Sequence, residues 1–238
     1  MLTSTRAPRV YEHIAARVES AILDGRLQQG DKLPPERTLA RDVGASRVAV
    51  REALRTLEHR GLLEVRHGAA GGYFVRAVDG GLLGRDLRTL LRLSHVSLAQ
   101  LMEARLLVEP EIAQLAALRA TEMDVKALLA VLDEAAARTA AGTDPREADL
   151  RFHRLVAATA RNPVHTLLID ALMEVEIGVV PQPRLVGEDR VHVDRAHQGI
   201  VDAIAARDLE SARAVMATHI VDLQRRLSGV GSATTSAS

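Results

Sequence analysis

Between residues 33 and 75 the chain changes its repeat in a way that few folds can accommodate. The stretch "LPPERTLARDV" has helical spacing, starts behind paired prolines and stops at Gly44. Ser46, a good N-cap, opens a second helix through "RVAVREALRTLEHR" that ends at Gly61. The period then drops from about 3.6 to 2. "LLEVR" and "GYFVR" read as strands, and the glycines of "HGAAGG" permit a tight turn between them. Ahead of all this, "VYEHIAARVESAILD" over residues 10–24 places Ile14, Val18, Ala21 and Ile22 on one helical face before Gly25. Three helices followed by a small hairpin define a winged helix-turn-helix.

Charge is polarised along the chain in the same sense. Residues 1–78 hold 13 basic and 9 acidic side chains, the remainder 18 and 22, although the whole chain is formally neutral. In the third helix Arg47, Val48, Arg51 and Arg55 share one arc, and Val50, Ala53, Leu54 and Leu57 share a neighbouring arc. One side is built to pack and the other to face outward. A helix divided this way can enter the major groove, where arginine forks pair with the two acceptors of guanine and also hold phosphates. Arg37, early in the second helix, falls near the backbone of the same duplex, and His67 and Gly68 fall at the tip of the wing, suited to the adjacent minor groove.

"AVDGGLLGRD" follows the hairpin and marks a boundary near residue 80. The expected organisation is a DNA-binding domain over 1–78, a linker at 79–84, an all-α domain over 85–228 and a disordered tail at 229–238. From Leu82 to Leu227 the residues are mainly Ala, Leu, Arg and Glu, with breaks at Pro110, "AGTDP", "RNP" and "VPQPRLVGED". That pattern predicts six or seven helices and no strand, so the chain is mostly α, a winged helix-turn-helix joined to a helical bundle. The absence of cysteine excludes disulfides and thiolate metal sites. No apolar run approaches the roughly 18 residues of a membrane span, and no secretion leader is evident, so no membrane association and a cytoplasmic location are expected.

Within the bundle, "ADLRFHRL" sets Asp149 and His153 one helical turn apart. His197 shares a face with Ile200, Val201 and Ile204, and His219 with Val215, Met216 and Leu223. Each imidazole therefore lies on the stripe that should turn inward. Three histidines and an aspartate in one core need a counter-charge or mutual neutralisation, and a divalent cation can supply it. Three nitrogens and an oxygen suit Zn²⁺ or Ni²⁺, with other borderline metals open.

Two stretches also resemble known families. "LPPERTLARDVGASRVAVREALRTLEHRGLLEVRHGAAGGYFV" is similar to the DNA-binding domain of GntR-family bacterial transcription regulators. Pro35 stands where a serine is more usual. The resemblance implies DNA contacts from Arg37, Arg47 and Arg51, together with Ser46, His67 and Gly68. Residues 98–227 resemble the FCD ligand-binding domain of the FadR subfamily, through "MEARLLVEPEIAQLAA", "DLRFH", "RNP", "AHQGIVDAIAARD" and "MATHI". That resemblance implies metal ligation by Asp149, His153, His197 and His219, with a small carboxylate effector completing the coordination and Arg105 gripping its other end. It argues against a fatty-acyl effector, because the acyl-CoA-binding branch lacks this metal set. His95, His165 and His192 match no ligand position.

The resulting expectation is a homodimeric, ligand-responsive regulator, most often a repressor in this family, on a palindromic operator in double-stranded DNA. One alternative is a purely structural metal with constitutive DNA binding. The other is a metal-dependent enzyme, with Glu174 or Glu176 as acid or base, which leaves the first domain unexplained.

Overall fold

The computed structural model describes residues 10–68, 71–76, 87–91, 93–179 and 185–235. The chain divides into two compact units, Met1–Val78 and Asp79–Ser238. Each has its own apolar core.

In the first unit α1 (Val10–Leu23) buries Ile14 and Ala15. The short α2 (Glu36–Val43) begins at Pro35, which offers no side-chain cap; its carbonyl instead accepts from the backbone N–H groups of Thr38 and Leu39. Gly44 ends α2 in the left-handed region at φ 66°, a conformation that a side chain would strain. Two residues later the Ser46 hydroxyl accepts from the Ala49 N–H at 3.1 Å and opens α3 (Arg47–His59). The apolar arc of α3, Val50, Ala53, Leu54 and Leu57, is fully buried. Strands β1 (Leu63–Arg66) and β2 (Gly72–Val75) pair antiparallel in the register Leu63 with Val75. Lys32 adds a single bridge to Phe74. Gly71 closes the wing at a point where a Cβ would lie 2.4 Å from the Arg66 carbonyl oxygen, so no other residue fits there. This is a winged helix-turn-helix.

In the second unit, helical residues 87–91 precede six long helices. They are α4 (Leu98–Arg119), α5 (Glu122–Ala140), α6 (Arg146–Thr159), α7 (Pro163–Val179), α8 (Glu188–Ala205) and α9 (Leu209–Thr235). Capping boxes at Ser97 and Thr121 start α4 and α5. Helix α9 packs along α4 and α8, and α6 lies against α4, α5 and α7, so α4 runs through the middle of the bundle.

Two expectations need adjusting. Pro110 does not break the bundle's first long helix: α4 runs through it, because Met102, Arg105, Glu109, Ile112 and Ala113 are buried on both sides of the proline and packing outweighs the lost backbone hydrogen bond. Helix α9 continues to Thr235, into the stretch whose composition suggests no structure, while residues 236–238 lie outside the described residues. The linker at 79–84 also lies outside them.

Candidate metal centre and nucleic-acid interface

Five helices deliver the inward-facing groups of the bundle, Glu176 coming from α7. Helix α6 brings Asp149 and His153, α8 brings Arg190 and His197, α9 brings His219, and α4 brings Arg105 and Glu109. His153, His197 and His219 are all buried. Their ring nitrogens converge: His197 Nε2 lies 3.2 Å from His219 Nε2, which lies 3.4 Å from His153 Nε2. Phe152 stacks on His197 with ring centroids 4.3 Å apart and fixes the plane of that imidazole.

The spacing tests whether a metal fits. Nitrogens about 2.0–2.1 Å from a zinc ion, arranged tetrahedrally, sit about 3.3–3.4 Å from one another. The two nitrogen–nitrogen distances at His219 match that separation, all three nitrogens lie within 4.8 Å of one another, and a set of three buried imidazoles suits a borderline divalent ion. Burial, and then the neighbouring imidazoles, push His197 and His219 well below the ordinary histidine range, so both are neutral and ready to ligate.

This has a consequence for the metal-free protein. On unfolding, both groups return to the ordinary value of 6.5 and take up protons below it. The unfolded chain then binds more protons than the folded one, so stability falls as pH drops below 6.5, by up to about 2.7 kcal/mol per pH unit for the two groups. Melting temperatures of chelator-treated protein measured from about pH 7.5 to 5.5 should decline on the acid side. A flat profile would show that the two imidazoles are not buried and neutral.

Asp149 is placed differently from the three histidines. Its carboxylate faces Arg190, which donates from Nη1 at 2.6 Å and from Nη2 at 3.1 Å, and its Oδ1 is 3.8 Å from His197 Nδ1. The group of mutually close donors among the described residues comprises the imidazoles alone. Asp149 lines the same cavity, of about 50 Å³, with Arg105 and Glu176. Burial raises its pKa, against the pull of Arg190.

Arg105 is completely buried and heavily engaged. Its Nε donates to Glu109 at 2.5 Å, its Nη1 to Glu176 at 2.6 Å, and its Nη2 lies 3.2 Å from His153 Nε2. The other Glu109 oxygen is 2.5 Å from His153 Nδ1, although the two atoms are not aligned as a hydrogen bond. Burial alone would raise the Glu109 carboxyl, but Arg105 and His153 hold it well below the usual carboxylate range. Sequence reasoning missed Glu109 and Arg190 and listed Glu176 only as a conceivable acid or base. The spacing of Arg105 and Glu109 on the buried face of α4 could have revealed the first of them. His165 and His192 pair elsewhere, with Asn162 and Asp222, and His95 is exposed.

On the first unit, Arg37, Ser46, Arg47, Arg51, His67 and Gly68 are all exposed, as is the arc of Val48 and Arg55 on α3. Ala69 and Ala70 of the wing tip lie outside the described residues. Arg51 forms a two-pronged ion pair with Glu36 across the α2–α3 turn.

A winged helix-turn-helix with an arginine-bearing outer helix, carried on the same chain as an all-α domain with a histidine-lined cavity, defines a transcription regulator with an effector-binding domain. Residues 10–75 match the model of bacterial regulatory proteins of the gntR family, and residues 100–222 match the FCD domain. The chain belongs to the GntR family and carries an FCD effector-binding domain. It is 40% identical over 167 residues to an uncharacterized HTH-type transcriptional regulator of Mycobacterium tuberculosis, spanning 67% of this chain and 65% of that one, just under two thirds. It is 30% identical to the HTH-type transcriptional regulator LutR of Bacillus subtilis, covering 87% of this chain and 96% of LutR. The solved structure of Streptococcus agalactiae GntR superposes with a TM-score of 0.70 at 29% identity, covering 91% of this chain and 99% of that one. These families and relatives are transcription regulators and not enzymes, which removes the enzyme alternative.

Proposed function

We propose that this regulator senses a small carboxylate through a divalent metal, Zn²⁺ or Ni²⁺, and that binding alters its grip on a palindromic operator as a homodimer, acting as a cytoplasmic repressor. Among the described residues no helix is long and apolar enough to cross a membrane. The observation that carries the reading is the convergence of three buried imidazole nitrogens in a cavity that a buried arginine also lines. His153, His197 and His219 would hold the ion, and Asp149 would join them if it exchanged Arg190 for the metal. The metal supplies a Lewis-acidic centre for one carboxylate oxygen. Arg105 lines the same cavity and would anchor the effector if its Nη2 edge turned from His153 to a carboxylate.

A thermal-shift screen of short carboxylates on metal-loaded protein tests this. A ligand at a hundred times its dissociation constant adds about 2.7 kcal/mol, which moves the melting temperature by several degrees. Linkage then requires that a duplex selected by the protein weaken carboxylate binding by the factor by which the carboxylate weakens duplex binding. Equal carboxylate affinities with and without duplex would overturn the sensing mechanism.

Two observations favour a purely structural metal: the cavity is small, and the Arg105 fork is already held by Glu109 and Glu176. Under that reading chelation lowers the melting temperature while no carboxylate raises it.

The exposed arginine face of α3 supports DNA recognition in the major groove, with Arg37 and Arg47 on the phosphates and Ser46, His67 and Gly68 flanking them. Arg51→Ala is expected to cost about 1 to 3 kcal/mol in binding to a selected duplex, measured by fluorescence anisotropy. An unchanged affinity would exclude Arg51 from base reading.

A further inference from the structure

Arg51 is not left free on its helix. Its Nε lies 3.1 and 3.2 Å from the two carboxylate oxygens of Glu36, and its Nη2 lies 2.8 Å from Oε2. Glu36 is the first residue of α2, and Arg51 sits in α3 beyond the Gly44 turn, so the pair spans the two helices of the helix-turn-helix. A guanidinium carries five N–H donors, and the carboxylate takes the side-on pair formed by Nε and one hydrogen of Nη2. The end-on pair, one hydrogen each from Nη1 and Nη2, has no protein partner among the described residues. Two parallel donors at that spacing are what the O6 and N7 acceptors of guanine require.

Stability does not account for the pair. The Arg51 side chain is 44% exposed, and ion pairs in such settings add little to folding. Electrostatics opposes it on a DNA-binding face, because a carboxylate among Arg37, Arg47, Arg51 and Arg55 repels the phosphates that those arginines attract. The Glu36 side chain, 22% exposed, is the more covered partner, so the acid acts as the fixed post and the arginine as the part on display. Hydrogen bonding from Arg51, followed by the nearby charges of Arg47 and Arg55, keeps its carboxyl below the usual range.

We propose that Glu36 is a positioning residue that sets base selectivity: it holds Arg51 side-on so that the end-on edge of the fork meets guanine, and its charge penalises any duplex that offers no guanine there. The inference rests on reading α3 as the recognition helix. An unrestrained arginine could reach phosphates as readily as bases, which would favour affinity without discrimination.

The experiment uses the full-length protein and two probes, a duplex enriched by the wild type from a pool with a randomised centre, and poly(dA-dT), which lacks the paired O6 and N7 acceptors. In Glu36→Gln, affinity for the enriched duplex should fall about two- to twelvefold, the equivalent of re-immobilising one long side chain, and affinity for poly(dA-dT) should rise. Glu36→Asp keeps the charge on a stem one methylene shorter. It should lose affinity for the enriched duplex with no gain on poly(dA-dT), and it carries the test if the glutamine variant does not fold. In the Arg51→Ala background Glu36→Gln should cause no further loss on the enriched duplex.

Equal losses on both probes, or an undiminished loss in the Arg51→Ala background, would overturn the positioning role. If Arg51→Ala alone binds the enriched duplex like the wild type, the recognition-helix reading fails as well, and the proposal with it.

Discussion

Replacing Arg105 by methionine is expected to destabilise the helical domain by about 3 to 5 kcal/mol, the cost of stripping a buried ion pair of one partner. Arg105 has no exposed surface, and its guanidinium neutralises Glu109 and Glu176, both nearly as buried. Methionine fills similar volume without charge, so the loss reports the two stranded carboxylates. The pH dependence identifies the cause. Burial already pushes the Glu109 carboxyl upward, and without Arg105 the principal opposing pull disappears. The folded variant then binds more protons than its unfolded state in the acid range, so its deficit relative to the wild type should shrink as pH falls. A triple variant, Arg105→Met with Glu109→Gln and Glu176→Gln, should recover much of the loss. Urea midpoints of the three proteins across pH check this. A deficit that stays constant with pH would mean that packing, and not stranded charge, explains the effect.

The second large effect concerns His197. If the proposed metal binds there, His197→Ala should weaken its binding by well over the roughly 10- to 100-fold that follows loss of an outer-shell partner, because it deletes one of the three converging nitrogens. Chelator competition measures the affinity, and elemental analysis the stoichiometry. The first unit has its own core, so its unfolding should not shift. Full metal occupancy in the variant would show that the ion is held elsewhere. Asp149→Asn offers a useful comparison. If the carboxylate remains with Arg190, metal affinity changes little, whereas if it moves onto the ion the affinity falls as it does for a lost ligand.

Much of the fold was legible from local signals. Gly44, Ser46 and Gly61 are chain punctuation with direct conformational causes, and the change from helical to alternating spacing after Gly61 identifies the wing without any distant contact. The inward direction of His153, His197 and His219 was equally legible, since each shares a stripe with residues that are buried in the folded chain. Pro110 was misread because a local rule about proline takes no account of the apolar residues packed on either side of it.

Apart from the run through Pro110 and the end of α9, the pattern of side chains along the chain determined two things alone: which segments are helix or strand, and which face of each segment is covered. Both follow from periods of a few residues and from turns made by neighbours. Which charged groups meet inside the bundle was decided only by tertiary structure. Arg105 and Glu176 are 71 positions apart, and Asp149 and Arg190 are 41 apart, so no spacing rule couples them. Their pairing depends on how α4, α6, α7 and α8 pack and on long side chains that can reach several partners. In that competition Asp149 went to a guanidinium, and the three imidazoles were left facing one another.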